Sequence, residues 1–146
     1  MKEKDLGATK VYVVSADGHV VLVRNKNSPH PRKEYWKLPG GSIDATDEDV
    51  ISAAIREVRE ETGILLERVE LELVTEQYTG EDGKFHPYLY IARISREKMN
   101  SRHEIGDENG YEMEVGIFHG RVIATMKDLL PKHRNYVCEI EMALVA

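Results

Sequence analysis

The chain has 146 residues, 41 % of them apolar and 32 % charged, with a formal net charge of −6. That length supports one sizeable core and is too short for two ordinary domains, so a single domain is expected. The composition excludes a disordered chain, and the acidity disfavours long nucleic acid, whose backbone the surface would repel.

No apolar run approaches the roughly 20 residues of a membrane span, and the opening residues lack the apolar stretch of a signal peptide. Both point to a cytoplasmic protein with no membrane partner. Cys138 is the single cysteine and reads as a packing residue. Acidity leaves a small phosphorylated ligand open, because a divalent cation reverses the potential created by its own carboxylate ligands.

Residues 10–15 and 19–24 are rich in β-branched side chains and flank Asp17-Gly18, which predicts a hairpin. Residues 25–35 contain Pro29 and Pro31 and read as an exposed loop; the basic groups Arg24, Lys26, Arg32 and Lys33 either meet phosphate there or are simply solvated. Leu38-Pro39-Gly40-Gly41 joins a residue of fixed φ to two that permit close backbone approach. A helical period then runs over 48–62, with a cap among Asp44, Thr46 and Asp47 and a stop at Gly63. Val50, Ile51, Ala54, Ile55 and Val58 form its buried face.

Residues 69–77 and 86–94 predict two further strands, joined through Gly80-Glu-Asp-Gly83 into an antiparallel pair. A polar loop over 95–110 leads to a strand near 112–118, on which Glu112 and Glu114 share one face because strand side chains alternate. Residues 125–130 suggest a short turn of helix, with Asp128 placed for a local cap. Pro131 opens a last helix over 132–144, with Tyr136, Val137, Ile140 and Leu144 at helical spacing. Strands, a helix, more strands and a helix describe an α+β or layered α/β/α domain around a mixed sheet.

The informative run is Arg56-Glu-Val-Arg-Glu-Glu-Thr-Gly-Ile64. Glu57, Glu60 and Glu61 stand at i, i+3 and i+4, so on a helix Glu61 lies about 40° from Glu57 and Glu60 about 60° the other way. Three carboxylates share an arc that borders the apolar face. Two readings fit this crowding. Mg²⁺, which favours carboxylate, carbonyl and water oxygens, turns the repulsion into attraction; or Arg56 and Arg59 compensate an ordinary solvated acidic face.

Gly41 through Ile64 resembles the signature of the Nudix hydrolases: glycine, a spaced glutamate, then Arg-Glu-aliphatic-x-Glu-Glu-x-Gly-aliphatic. Arg56 to Ile64 meet all of the closing positions, and Trp36-Lys-Leu-Pro-Gly-Gly41 resembles the family's usual approach to them. One departure is visible. Six residues separate Gly41 from Glu48, one more than the pattern has, so either Glu48 keeps its place through a bulge or Asp47 takes it.

The resemblance implies a Nudix-type α/β/α sandwich extending as one domain over residues 8–144. It also implies hydrolysis of a diphosphate linkage in a nucleoside triphosphate or another nucleoside diphosphate derivative, by metal-activated water. The implied cofactor is Mg²⁺, with Mn²⁺ able to replace it, bound by Glu57, Glu60, Glu61 and the Gly40 carbonyl. Arg56 would orient the glutamates, and the catalytic set would be Glu57, Glu61, Arg56 and a remote glutamate, for which Glu114 ranks ahead of Glu112, Glu108 and Glu104. Such chemistry needs a nucleophile and relief of phosphoryl charge, both of which a metal ion supplies, and a carboxylate to take the water's proton.

The expected partner is a small nucleotide-like substrate, and the expected assembly a monomer or homodimer. His30, His86, His103, His119 and His133 are dispersed, lack the spacing of a zinc motif, and read as surface or packing groups. Tyr35, Trp36, Tyr78 and Tyr88 are candidates to stack on a base, or else core residues. Many ADP-ribose hydrolases of the family carry a proline about fifteen residues after the box. Here Thr79 stands in that place, which counts against ADP-ribose and selects nothing instead. The alternative function is a ligand-binding or regulatory domain of the same fold without hydrolysis, against which the intact Glu57, Glu60 and Glu61 argue.

Overall fold

Alternating side chains along the first two strands build the frame. The computed structural model describes residues 6–25, 35–101 and 113–145. Within it, β1 (Ala8–Val14) and β2 (His19–Asn25) form the expected hairpin, turned by Gly18 at φ +82°. Tyr12, Val20 and Leu22 enter one core, and Val11, Val13 and Val21 enter a second on the opposite face. A strand buried on both faces must be apolar almost throughout, which is why these segments read as runs of valine.

Downstream come β3 (Gly40–Ser42), β4 (Leu71–Thr75), the two-residue β5 (Tyr78–Thr79) and β6 (Phe85–His86), β7 (Tyr88–Arg93) and β8 (Met113–His119). The main sheet runs β4-β7-β1-β2-β8, with β3 paired to β1. β1 and β7 are parallel and the other pairs antiparallel, so the sheet is mixed. β5 and β6 pair only with each other, as a separate small ribbon.

Helix α1 (Val50–Thr62) sets Ala54 and Val58 into the second core, with Met99 of the short α2 (Arg96–Asn100) beside them. On the other face lie α3 (Gly120–Ile123) and α4 (Pro131–Leu144), which contribute Ile123, Tyr136, Val137 and Ile140 to the first core. This is the α/β/α sandwich that the sequence implied. Each fully buried aliphatic side chain in these layers contributes about 1.5–3 kcal/mol. No helix among the described residues is long and apolar enough to cross a membrane.

Several local expectations change. Helix α1 starts at Val50 and not at Glu48, and its cap is Asp49, whose extended backbone lets the carboxylate accept from the Ser52 N–H at 2.8 Å. Asp44 and Asp47 instead close the preceding loop, accepting from the N–H groups of Thr46 and Asp44. The strand expected over 86–94 is split at Pro87, which has no N–H to give a ladder. The loop expected from Ser95 begins as α2, because the Ser95 hydroxyl caps it by accepting from the Lys98 N–H and Met99 is drawn into the core.

The helical turn expected over 125–130 lies earlier, as α3. The backbone of 128–130 is committed elsewhere: Trp36 N–H donates to the Asp128 carbonyl and Leu130 N–H to the Trp36 carbonyl. Cys138 is exposed on α4, not packed, since it falls outside the stripe of Tyr136, Val137 and Ile140. Lys26, His30, Arg32, Lys33, His103, Glu104, Glu108 and Glu112 lie outside the described residues.

Candidate active site

The Pro39-Gly40-Gly41 segment brings the carboxylate helix against the edge of β1. Lys10, Thr9 and Ala8 face Gly40, Gly41 and Ser42 in antiparallel register, and the Val11 N–H donates to the Pro39 carbonyl. Gly40 has φ +141°, and a Cβ there would lie 2.2 Å from the Thr9 carbonyl oxygen. A Cβ on Gly41 would lie 2.7–2.9 Å from the Glu57 carboxylate. Only glycine admits both approaches.

Glu57 and Glu61 are 4 % and 5 % exposed, although carboxylates are rarely buried. The Gly40 N–H donates to Glu61 Oε1 at 2.7 Å, and Arg56 Nη1 donates to Glu57 Oε1 at 3.1 Å. Glu60 shares their arc but its side chain is 46 % exposed, held by Arg56 at 3.3 Å. The helical spacing therefore gave the direction of all three carboxylates, while the packing separates two buried groups from one solvated group. Among the described residues no three acidic, histidine or cysteine side chains converge as a ready metal cluster.

Arg56 is the hub. Its Nε and Nη2 reach both oxygens of Asp47 at 2.9 and 2.8 Å, Nη2 also donates to the Ser42 carbonyl, and Nη1 serves Glu57 and Glu60. The hydrogen bond to Asp47 is the main cause that holds the guanidinium pKa above its ordinary value, and it holds the Asp47 carboxyl below its own. Of the two residues at the lengthened loop, Asp47 pairs with Arg56 and Glu48 is exposed.

Lys10 stands where β1 meets these groups, with Nζ 3.4 Å from the Gly40 carbonyl oxygen. Burial lowers its ammonium pKa; Glu61 acts in the opposite sense, and Lys37 and Lys132 add repulsion. His133 of α4 accepts from the buried Leu38 N–H through Nδ1 at 2.9 Å. Burial, then the nearby Lys10, Lys132 and Lys37, pull its pKa down to about 2, so the imidazole is neutral as that acceptor role requires.

A cavity of about 950 Å³ is lined by Lys10 and His133 together with Tyr78, His86, Tyr136 and Glu139. Sequence reasoning missed Lys10 and His133. The signal for His133 was present, because 133, 136, 137 and 140 fall on one helical stripe; Lys10 was legible only as a charge inside an otherwise apolar strand.

The structure does not bring Glu114 among the carboxylates of α1. Arg24 Nε and Nη2 bond its two oxygens at 2.8 and 3.2 Å, and the partly exposed guanidinium lies 4.4 Å over the ring of Trp36, a residue of the first core. Its strand neighbours Val115 and Ile117 face the α1 side instead. Of the expected base-stacking residues, Trp36 is buried against Phe118, Tyr88 packs beside the second core, and Tyr78 reaches the cavity. His86 faces Glu139 with Nε2 2.9 Å from Oε2, and His119 accepts from the Arg121 N–H.

A family model described as NUDIX domain matches residues 5–131. This chain belongs to the Nudix family. The chain is 31 % identical over 74 residues to an ADP-ribose pyrophosphatase of Methanocaldococcus jannaschii, covering 44 % of this chain and 42 % of that protein. It is 39 % identical over 61 residues to an RNA pyrophosphohydrolase of Xanthomonas campestris, covering 42 % of this chain and 27 % of that protein. The matches thus span less than half the length of either relative. Among solved structures, the NUDIX domain of Shewanella oneidensis NrtR complexed with ADP ribose superposes with a TM-score of 0.70 at 20 % identity, covering 94 % of this chain and 86 % of that one. That likeness shows the fold.

Proposed function

We propose that this Nudix chain is a Mg²⁺-dependent pyrophosphohydrolase, with Mn²⁺ able to replace Mg²⁺, acting on a diphosphate linkage in a nucleoside triphosphate or another nucleoside diphosphate derivative. The observation that carries this reading is the burial of Glu57 and Glu61 against Gly40 and Gly41, linked to the cavity by Lys10, which reaches the Gly40 carbonyl and lines the cavity wall. Burying two carboxylates one helical turn apart is costly unless cations compensate them, and a bound divalent cation would join Arg56 and Lys10 in doing so. The donor set fits a hard cation: carboxylate oxygens of Glu57, Glu60 and Glu61, and the Gly40 carbonyl.

When bound, Mg²⁺ would offset charge on the phosphoryl oxygens and make the attacking water more acidic. The chain's own residues do the rest. Arg56 fixes the Glu57 rotamer, the Gly40 N–H fixes Glu61, and either carboxylate can accept the proton that water loses as its oxygen bonds to phosphorus and the phosphate leaving group departs. Lys10 and Lys132 meet the phosphates on the cavity side. Glu114 holds Arg24 over Trp36 in this reading, a positioning role.

The test is a panel of nucleoside triphosphates, nucleotide sugars, dinucleoside polyphosphates and 5′-triphosphorylated RNA, incubated with chelated protein and then with each metal restored. Products resolved by chromatography identify the phosphorus attacked. Turnover that is equal with and without metal refutes the reading, and metal-dependent binding without any turnover replaces it with the ligand-binding alternative.

A further inference from the structure

Two groups of residues line the cavity: Lys10 of β1 and Lys132 of α4, and residues of the β5–β6 ribbon, where Glu81, Asp82 and Lys84 accompany the aromatic rings. There the Tyr78 and His86 rings stack at 4.4 Å with 14° between planes, and Tyr136 meets His86 edge-on at 5.3 Å. The β5–β6 ribbon holds Tyr78 and His86 directly opposite each other in register.

Burial follows an unusual pattern on this ribbon. Tyr78 and Phe85 are 51 % and 48 % exposed, and they are the only aromatic residues among the exposed large apolar side chains of the described residues. Both line the cavity. Trp36 and Tyr12 are buried in the first core and Tyr90 in the second, so the fold has the means to cover aromatic rings and leaves these two open. The ribbon that carries them is short and lies off the main sheet, closed by the Gly80 N–H donating to the Lys84 carbonyl.

His86 cannot turn freely, because Glu139 holds it and the Thr75 hydroxyl in turn holds Glu139 at 2.6 Å. His86 therefore supports one face of the Tyr78 ring, while the tyrosine as a whole stays half exposed. A half-exposed ring with a rigid partner on one face is a stacking platform that loses little conformational entropy when a planar ligand arrives. Cavities of this size accommodate a nucleoside together with its phosphates.

We infer that the Tyr78–His86 stack, flanked by Phe85 and Tyr136, is the subsite for the planar heteroaromatic base of the substrate, with the phosphates directed toward Lys10 and Lys132. The inference rests on the pyrophosphohydrolase reading for the direction of the phosphates. The base subsite itself is tested without metal or turnover.

Titration calorimetry of the full chain in chelator measures binding of AMP, GMP, CMP and UMP against ribose 5-phosphate, which keeps the sugar and phosphate and lacks the base. At least one nucleotide binds tenfold tighter than ribose 5-phosphate to the wild-type chain. Loss of one stacking partner weakens binding by roughly 5- to 150-fold, so Tyr78→Leu removes most of the preference while Tyr78→Phe retains it. The half-exposed position on a separate ribbon keeps both variants folded, which thermal unfolding checks.

Equal binding of nucleotides and ribose 5-phosphate by the wild type overturns the inference, as does a preference that survives intact in Tyr78→Leu. The two readings fail separately. Metal-dependent hydrolysis without a base preference removes the subsite alone, and a Tyr78-dependent base preference without hydrolysis removes the enzymatic reading alone.

Discussion

Gly41→Ala isolates the approach of the carboxylate helix to β3 from every backbone effect. Unlike Gly40, Gly41 does not have a left-handed φ, so alanine adopts its conformation without strain. The new methyl group would stand 2.7–2.9 Å from all three atoms of the Glu57 carboxylate, whereas ordinary contact begins at 3.4 Å. The carboxylate must therefore retreat by roughly 0.5–0.7 Å. It is 4 % exposed and held by Arg56 at 3.1 Å, so the displacement is transmitted to the Arg56 hub and is not absorbed by solvent.

Overpacking of this kind costs about 1–3 kcal/mol of stability, and sub-ångström misplacement of a catalytic group costs about 10- to 100-fold in kcat/KM. Initial rates against the preferred nucleotide, Mg²⁺ titration by calorimetry and thermal unfolding give the three readouts. Gly40→Ala is the contrasting variant: its methyl meets the Thr9 carbonyl at 2.2 Å and its φ is left-handed, so it lowers the unfolding temperature far more. A Gly41→Ala protein with wild-type kcat/KM and wild-type metal affinity would refute the assignment of the buried Glu57 carboxylate to the site.

Three further outcomes follow from the same geometry. Glu61→Gln loses at least about 100-fold in kcat/KM, whereas Asp47→Asn loses about tenfold or less, because Arg56 keeps Glu57, Glu60 and the Ser42 carbonyl when Asp47 is neutral; comparable losses in two folded variants contradict this ranking. Glu114→Gln leaves kcat within about threefold and acts on KM or stability through Arg24, so a loss of about 100-fold in kcat would return proton transfer to Glu114. His133 has a folded pKa far below its ordinary 6.5, so between those values the unfolded chain binds the extra proton and stability falls as pH drops below 6.5, by up to about 1.4 kcal/mol per pH unit. Denaturant unfolding between pH 7 and 5 should show a shallower dependence in His133→Gln, and an unchanged slope rules the coupling out.

The carboxylates of α1 were legible because helical spacing is a local property: 57, 60 and 61 must share an arc in any packing. What depends on the partner surface was not. The same arc gives no sign that Glu60 meets solvent while Glu57 meets Gly41. The cap at Asp49 was missed because Asp44, Thr46, Asp47 and Asp49 are all competent, and the loop's own hydrogen bonds decide among them. Strand alternation placed Glu114 with Glu112 but could not say which core that face looks toward; the β2–β8 register and the Arg24 pair decide it. The cavity lay furthest from reach, since β1, the β5–β6 ribbon and α4 meet only in three dimensions.

Lys10 carries a consequence for how this sequence can change. β1 is the strand through which both cores are joined, and the ammonium of its third residue, Lys10, is opposed by desolvation and by two neighbouring lysines and favoured by Glu61 and Glu57. Methionine would fill the same volume without that penalty. It would also remove a cation beside the buried Glu61 and Glu57, so Lys10→Met exchanges the desolvation of one charge for the loss of compensation at two others. Position 10 thereby couples the charge balance of the carboxylate helix to the wall of the cavity.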